Sequence, residues 1–324
     1  MNNLPPDESE VIEFTLPMSC AGKRLDQAVS SVLTEYSRAR LQQWIRDGSL
    51  LLNGDEAQPK SKVFGGEQIR LVAYVEPQNQ FQPEDIELDI IYEDEHLLVI
   101  NKPAGLVVHP GAGNWEGTLL NALLHHAPEL NKIPRAGIVH RLDKDTTGLM
   151  VVAKTLQSQA NLVDQLQERS VSREYVAVVH GIFVSGGTID YPIGRHSGDR
   201  KKMAVTESGK EAVTHYRLIE KFTHFTVLKV KLETGRTHQI RVHMSHVKHP
   251  LVGDGVYGGR MRLPKGASEP LIAALRGFER QALHAQRLSF IHPDTGESVE
   301  WSAPIPQDML QLIETLRKED GNEH

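Results

Sequence analysis

The sequence has very little cysteine and no long hydrophobic run. Cys20 is the single cysteine among 324 residues, which excludes a disulfide framework and any metal site made only of cysteines. Apolar runs such as 97–100 are far shorter than the roughly 20 residues that a membrane-spanning helix needs. Residues 1–9 contain no basic segment followed by an apolar core, so we expect no secretory signal. We therefore expect a cytoplasmic protein that does not associate with membranes.

Basic residues are outnumbered by acidic ones, but the charges are unevenly distributed. The net charge is −6, and the acidic residues concentrate at 84–95, where no lysine or arginine occurs, and near the C-terminal end. Contact with nucleic-acid phosphates depends on the local field rather than on net charge. The basic clusters elsewhere are equally consistent with ordinary solvated surface. Six basic residues are candidates for phosphate contact: Arg24, Arg38, Arg40, Arg46, Lys201 and Lys202.

The chain divides into a small N-terminal unit and a larger C-terminal region. Apolar positions at 25, 28, 29, 32 and 33 predict one face of a helix, and a second helix is expected to carry Leu41, Trp44 and Ile45, with Ser37 as its N-cap. A polar, proline-bounded segment follows at 76–83 and has the composition of a linker. We expect a tail at 1–17, a small domain at 18–75, a linker at 76–85 and a large domain at 86–324.

The large domain has strand patterns that helices do not separate regularly. Strands are predicted at 97–101, 149–153, 174–179, 214–219 and 226–232. Helices are predicted at 118–126, 155–167, 237–247 and 307–316. This order favours an α+β fold with a mostly antiparallel mixed sheet, preceded by the small α/β domain at the N-terminus.

The segment 137–148, Gly-Ile-Val-His-Arg-Leu-Asp-Lys-Asp-Thr-Thr-Gly, places two acids, two bases and a histidine between apolar runs. Charged residues at the edge of buried strands are costly unless they are paired, so we interpret this loop as a functional site. The alternative is a solvent-facing turn.

A second polar segment follows the last strand of that series. Residues 232–243 begin with Leu232 and place Arg236 at a strand-to-helix corner, where a fixed guanidinium can reach a carboxylate. Thr237 is the expected cap of the helix that follows. His238, His243, His246 and His249 form a histidine run, but its spacing is not that of a metal site, so histidines that face solvent or RNA are the better interpretation.

Tyr175 leads a strand on which Tyr175, Ala177 and Val179 share one face, so its ring is either part of the core or part of a site. The glycine-rich piece 111–113 matches no nucleotide-binding fingerprint. We therefore expect no cofactor.

The segment His140-Arg141-Leu142-Asp143-Lys144-Asp145-Thr146-Thr147-Gly148 resembles the signature of the RluA-type pseudouridine synthases. Four further blocks, at 100–105, 173–177, 234–241 and 249–254, agree in order. The unit from Gly22 to Gly54 is similar to the small RNA-binding domain named after a ribosomal protein of the small subunit. The stretches 107–114 and 203–205 favour the members that act on large-subunit ribosomal RNA.

The resemblance implies a reaction in which the bond from ribose to a uracil nitrogen breaks, the base turns, and a ring carbon rejoins the sugar. In the family the aspartate of this segment is the catalytic group, here Asp143, acting as nucleophile or as base in a glycal route. An arginine keeps it ionised, by analogy Arg236. Arg141 would fill the space of the flipped base, Tyr175 would stack on the uracil, and Leu232 or Ile240 would wall the pocket.

These roles lead to an expected function. The chain would isomerise specific uridines in stem-loops of large-subunit ribosomal RNA, act on pre-ribosomal particles, support ribosome assembly and work as a monomer. A catalytically silent RNA-binding assembly factor of the same fold is the alternative. A metal-dependent phosphoesterase using Asp143, Asp145 and the histidines lacks the ligand spacing.

Overall fold

The computed structural model describes residues 9–33, 36, 38–74, 81–111, 114–199, 202–261 and 263–321. The chain forms two compact units, residues 1–80 (unit 1) and 81–324 (unit 2), each with its own core. None of the helices within the described ranges is long and apolar enough to cross a membrane. Two predictions, the Ser37 cap and the role of Lys201, concern residues outside those ranges.

Unit 1 is a small sheet covered by two helices. Its helices are α1 (Leu25–Val32) and α2 (Arg38–Arg46), and its strands are β1 (Ser9–Thr15), β2 (Leu50–Leu52), β3 (Asp55–Glu56) and β4 (Gln68–Tyr74). The strands pair antiparallel in the order β1-β4-β2-β3. The apolar faces of both helices pack on the sheet, with Leu25, Val29, Leu41, Trp44 and Ile45 buried.

The expected tail at 1–17 is wrong for residues 9–15, which form β1. Ile12 and Phe14 pack against the core of unit 1, whereas Val11 is exposed, so the segment has the period of two that a half-buried strand requires. The expected linker at 76–85 is also too long at its C-terminal end. Glu84 accepts hydrogen bonds from the Gly117 N–H, and Gln82 accepts one from Asn121, so residues 81–85 pack within unit 2.

Unit 2 is built on one large mixed sheet. Its strands are β5 (Ile90–Glu93), β6 (Leu97–Lys102), β7 (Thr147–Ala153), β8 (Ser172–His180), β9 (Gly187–Asp190), β10 (Ile193–Arg195), β11 (Met203–Val205), β12 (Val213–Lys221), β13 (Phe225–Leu232), β14 (Leu283–Ile291) and β15 (Ser298–Ser302). The large sheet has the order β5-β6-β7-β14-β8-β13-β12-β9, with β15 on β14 and a separate β10-β11 pair. Among these pairs only β7 and β14 run parallel, which confirms the α+β prediction.

Helices cover both faces of this sheet. They are α3 (Leu119–His126), α4 (Leu156–Gln167), α5 (Gln239–His246), α6 (Glu269–Gly277) and α7 (Gln307–Glu319). Alternate residues of each strand enter different cores, as strand geometry requires. Tyr175 and Ala177 share a core with α3 and α5, whereas Val176 and Val178 pack with α6 and α7. The first of these two faces carries the candidate site.

Candidate active site

Asp143 lies on a loop that is fixed at both ends. Before the loop, Ile138 forms a β-bridge with Val152, and after it the chain enters β7. Within the loop Leu142 is buried in the core, and the Thr146 N–H donates to the carbonyl of Asp143 at 3.1 Å. The side chain of Asp143 is 15% exposed, so it is sheltered but still accessible from solvent.

A buried lysine fastens this loop to strand β6. Lys102 is fully buried, and its Nζ donates to the carbonyl oxygens of Pro103, Leu106 and Lys144 at 2.7, 2.9 and 2.8 Å. Burial lowers the pKa of Lys102 to about 8, although the charges of Asp145 and Asp143 oppose the shift. The bond to Lys144 holds the backbone next to Asp143 in place.

Residues 280–281 hold the far side of the same loop. The Gln281 side-chain amide donates to Thr146 Oγ1 at 2.9 Å, and Arg280 Nη1 approaches the carbonyl of Asp145 at 3.4 Å. The backbone carbonyl of Asp145 therefore helps to hold the loop in place.

Arg241 on α5 forms an ion pair with Asp143. Its Nη1 donates to Asp143 Oδ2 at 2.9 Å. On its other edge Arg241 binds Asp254 with two bonds, Nε to Oδ2 at 2.7 Å and Nη2 to Oδ1 at 2.9 Å. One planar guanidinium thus joins two carboxylates in a fixed geometry, which a lysine could not reproduce.

Asp254 is fully buried and anchors Arg241. Burial by itself would raise the pKa of Asp254, but the hydrogen bonds and charge of Arg241 hold it below its usual value. The backbone N–H groups of Val256 and Tyr257 also donate to its Oδ1, both at 3.0 Å. Asp254 therefore remains ionised at neutral pH and keeps the guanidinium aimed at Asp143.

The sequence-based choice of Arg236 as the partner of Asp143 is wrong in this structure. Arg236 Nε donates to the carbonyl of Glu211 at 2.9 Å, and its N–H donates to the side chain of Gln239. The helix that follows begins one residue later than expected: its N-cap is His238, with a left-handed φ of +56°, and not Thr237. Arg241 on this helix, and not Arg236 before it, reaches the loop of Asp143.

His238 lies on the other side of the Asp143 carboxylate, with its Nε2 at 3.7 Å from Oδ1. Its Nδ1 forms a 2.8 Å hydrogen bond with the Tyr257 hydroxyl. Burial lowers the pKa of His238, and Arg241 and Arg141 reinforce the shift against the pull of Asp143. His238 is therefore a neutral imidazole at neutral pH and a polar wall of the site.

The remaining histidines of the run at 238–249 do not converge. His243 is fully buried, with Nδ1 bonded to Thr214 Oγ1 and Nε2 to the carbonyl of Tyr191, each at 2.9 Å. His249 Nδ1 bonds the carbonyl of His180 at 2.8 Å. The expectation that the run faces solvent or RNA is wrong for His243, which supports the sheet beneath α5.

Three further residues predicted for the site are Tyr175, Leu232 and Arg141. Tyr175 and Leu232 are 6% and 7% exposed and belong to the same core as Ile240. Burial raises the pKa of Tyr175, Arg173 opposes the rise, and the charge of Asp143 adds to it. Arg141 is exposed, and its charge lowers the pKa of both His109 and His238. The Tyr175 hydroxyl thus feels the charge of Asp143, Arg141 acts on His238 beside Asp143, and Leu232 shares the core of Tyr175.

Arg173 is a buried residue of β8 on the same face as Tyr175, and no pattern in the sequence marked it as part of the site. Its Nε has no hydrogen-bond partner among the described residues, and Nη2 reaches the carbonyl of Glu233 only at 3.5 Å. Glycine at 235 makes room for it, because a Cβ there would lie 2.7 Å from Arg173 Nη1.

His140 is expected to make the stability of the fold depend on pH. Its Nε2 accepts a 3.1 Å hydrogen bond from the Val151 N–H, and burial together with Arg173 lowers the pKa of His140 to about 3. Below about pH 6.5 the imidazole of His140 is protonated in the unfolded chain but stays neutral in the folded protein. This stability is therefore present above pH 6.5 and is lost on acidification, at about 1.4 kcal/mol per pH unit.

We expect His140→Gln to flatten the fall in unfolding free energy between pH 6 and 4 by about this slope, since a glutamine can still accept from Val151. Urea titrations at each pH measure it. His224→Gln, at an exposed histidine, is the matched control and should parallel the wild type. If the two variants have equal slopes, His140 is not held neutral.

The candidate RNA contacts fall in two places. In unit 1, Arg24 and Arg38 both bind Asp26, and Arg40 lies over the Trp44 ring at 5.7 Å. In unit 2, Lys202 lies 4.0 Å from Asp199. Arg46 on α2 is exposed.

Similar proteins show the family to which this chain belongs. Residues 96–246 match the family described as RNA pseudouridylate synthase. The chain is 55% identical over 316 residues to the ribosomal large subunit pseudouridine synthase D of Xanthomonas campestris pv. campestris, covering 98% of this chain and 96% of that protein. It is 59% identical over 304 residues to the Escherichia coli protein of the same name, covering 94% and 93%.

Solved structures show the same fold. Human RNA pseudouridylate synthase domain containing 4 superposes with a TM-score of 0.55 at 27% identity, covering 70% of this chain and 92% of that chain. The corresponding human domain-containing 1 protein gives a TM-score of 0.53, also at 27% identity, with coverages of 72% and 96%. Since full-length relatives and solved structures agree, the chain belongs to the RluA family of RNA pseudouridine synthases, is an isomerase, and is similar to the D-type members of that family.

Proposed function

We propose that this enzyme converts specific uridines of large-subunit ribosomal RNA to pseudouridine, with Asp143 as its catalytic carboxylate. Relatives that match nearly the whole chain are named for that RNA. The observation that carries the proposal is the carboxylate of Asp143, sheltered on a clamped loop and bonded to Arg241, which Asp254 fixes. A nucleophile or base must be ionised, and the guanidinium of Arg241 fixes the direction of this carboxylate and balances its charge.

The reaction rearranges one nucleotide without an external reactant. The bond from the ribose anomeric carbon to uracil N1 breaks, the base rotates, and a bond to uracil C5 forms. The proton leaves C5, and N1 ends with a proton. Asp143 serves either as the nucleophile on the anomeric carbon or as the base that takes a ribose proton in a glycal route. Both routes need the same ionised carboxylate, and both end with no net change in oxidation state.

The target uridine has to leave its helix to reach this carboxylate, at a cost of a few kcal/mol. We propose that the side chain of Arg141 fills the space that the uridine leaves, because Arg141 is exposed and lies on the same loop as Asp143. Tyr175 would stack on the extruded uracil, while Leu232 excludes water from one side. The neutral imidazole of His238 would offer a hydrogen bond without adding charge beside Asp143.

Unit 1 is proposed as the RNA-binding arm. It presents Arg24, Arg38, Arg40 and Arg46, and Lys202 adds a cation from unit 2. Contacts from such residues to phosphates supply affinity and register, whereas the pocket around Asp143 supplies the chemistry. A cytoplasmic monomer that acts on pre-ribosomal particles, and so supports ribosome assembly, completes the proposal.

The proposal is tested with unmodified ribosomal RNA transcripts and the purified enzyme. We expect pseudouridine at a small number of stem-loop positions in the large-subunit transcript, mapped by chemical adduct and primer extension, and none in the small-subunit transcript. Loss of the same positions in a strain lacking the enzyme would agree. Binding of large-subunit RNA without any new pseudouridine would instead support a silent assembly factor.

A further inference from the structure

Unit 1 contains a fully buried carboxylate, Asp26, in the first turn of α1. Arg24 donates from Nε to Oδ1 at 3.0 Å and from Nη2 to Oδ2 at 2.9 Å. Arg38 Nη2 donates to Oδ2 at 2.8 Å, and Gln42 Nε2 donates to the same oxygen at 2.6 Å. Burial by itself would raise the pKa of Asp26, but the hydrogen bonds from Arg38, Gln42 and Arg24 hold it below its usual value. Asp26 is thus a buried anion at neutral pH.

A second link extends from this carboxylate to another arginine. The side-chain oxygen of Gln42 accepts a 3.3 Å hydrogen bond from Arg46 Nη2. Asp26 therefore orients Arg24 and Arg38 directly, and Arg46 through Gln42. These are three of the four arginines proposed as the RNA arm, and they come from the N-cap of α1 and from the two ends of α2.

The carboxylate itself is held rigidly. The Asp26 N–H donates to the carbonyl of Pro59 at 3.1 Å, and the Leu25 N–H donates to that of Ser61 at 2.7 Å. Arg24 forms an isolated antiparallel β-bridge with Lys62, so a second basic residue lies next to Arg24. The side chains of Arg24 and Arg38 remain 39% and 45% exposed. Each guanidinium uses Nε and Nη2 on Asp26, and Nη1, which has no hydrogen bond to the described part of the chain, is a further donor.

We propose that Asp26 is a positioning residue for RNA binding, and that it holds Arg24, Arg38 and, through Gln42, Arg46 as a preformed site for backbone phosphates. The inference rests on the proposed function, because RNA is the ligand. An unconstrained arginine loses side-chain entropy when it binds RNA. An arginine that a buried carboxylate already holds has lost that entropy during folding, so its binding is less costly. The planar guanidinium also matches phosphate oxygens once its direction is set.

Positioning and plain electrostatics predict opposite signs for one substitution. Asp26 is an anion beside the proposed phosphate site, so by charge alone its removal should strengthen RNA binding. If Asp26 orients the arginines, its removal should weaken binding although the net charge becomes more positive.

The test uses the full-length enzyme and a fluorescein-labelled large-subunit ribosomal RNA stem-loop. We expect Asp26→Asn to raise the Kd about tenfold, as two arginines lose their fixed orientation, and to raise the KM for the same RNA. The exposed Asp55 on β3 supplies the charge-matched control, and Asp55→Asn should leave the Kd unchanged or lower it slightly. An Asp26→Asn protein that binds as tightly as Asp55→Asn, or more tightly, overturns the inference.

If Asp26→Asn folds poorly, Gln42→Ala, made in the wild type and in Arg46→Ala, tests the same inference. Gln42→Ala leaves the charge and both ion pairs of Asp26 in place, but it removes the hydrogen bond from Gln42 to Asp26 and the one from Arg46 to Gln42, and so breaks the link between Asp26 and Arg46. We expect it to raise the Kd about threefold in the wild type and to have no effect when Arg46 is already alanine. A Gln42→Ala effect of equal size in both backgrounds would mean that Gln42 acts on stability and not through Arg46, which contradicts the proposal.

The double variant Arg24→Ala/Arg38→Ala separates this inference from the proposed function. We expect it to weaken binding and to lower the salt dependence of log Kd by up to about 2, near 0.9 for each duplex phosphate contact. Weaker binding here without weakening in Asp26→Asn defeats the positioning role alone. Wild-type binding by the double variant defeats the RNA arm and the positioning role together, while turnover on the RNA still reports the enzyme activity.

Discussion

Asp143→Asn is expected to abolish turnover while leaving RNA binding within about threefold of the wild type. The substitution keeps the shape of the side chain but removes the charge that both chemical routes require, and loss of one catalytic carboxylate costs about three orders of magnitude or more. The fold should survive, because Arg241 keeps its two bonds to Asp254 when Asp143 is neutral. Affinity comes mainly from phosphate contacts and stacking, which the change does not touch.

The measurement is release of tritium from RNA labelled at uracil C5, the carbon that forms the new glycosidic bond, with Kd determined in parallel. Asp145→Asn is the matched control on the same loop and should retain measurable turnover, since Asp145 is held through its backbone carbonyl. Near wild-type tritium release by Asp143→Asn, or a dead Asp145→Asn beside an active Asp143→Asn, would show that the wrong aspartate has been assigned.

Arg241→Gln is expected to damage both turnover and stability. It removes the ion pair with Asp143, and it leaves Asp254 as a buried charge without its partner. Breaking a buried pair from one side costs about 3–5 kcal/mol, so the urea midpoint should fall clearly. Turnover by the folded fraction should fall about 100-fold or more, because the carboxylate of Asp143 loses the ion pair that fixes its position and balances its charge.

A double variant separates the two effects. Arg241→Gln/Asp254→Asn removes both buried charges, so we expect it to recover part of the lost stability but none of the turnover. Arg236→Gln serves as the control for the sequence-based assignment, and it should stay within about threefold of wild-type turnover, as Arg236 bonds a backbone carbonyl in this structure. If Arg236→Gln were the inactive variant and Arg241→Gln the active one, the sequence-based assignment of Arg236 would be restored.

Local patterns determined most of the secondary structure. The strand at 226–232 and the helix at 155–167 lie within a residue of β13 and α4, because their apolar spacing and caps are properties of the local chain. Residues 9–15 show the limit of composition, since a segment that looked like a tail alternates correctly and needs only β4 as a partner to become β1. The alternation of a strand is present in its sequence, but the sequence does not show that β4 is the strand with which it pairs.

The sequence alone also pointed to the loop of Asp143, since seven consecutive residues, 140–146, bring opposite charges next to buried strands. The family resemblance implied Arg236 as the partner of this aspartate, whereas in the structure Arg241 binds Asp143 and Arg236 bonds the carbonyl of Glu211. Arg236 and Arg241 are both arginines near a helix start, and only the tertiary structure shows that Arg241 is the one that reaches Asp143.

Other parts of the site depend on contacts across long stretches of chain. Lys102 bonds the carbonyl of Lys144, and Asp254 fixes Arg241, although nothing in local spacing links these positions. The one available signal was a charged residue inside an apolar run, as with Lys102 after 97–100 and Arg241 between Ile240 and Val242. A charge in such a place needs a partner, but which partner it finds depends on the sheet order, in which β14 lies between β7 and β8, and only the tertiary structure decides that.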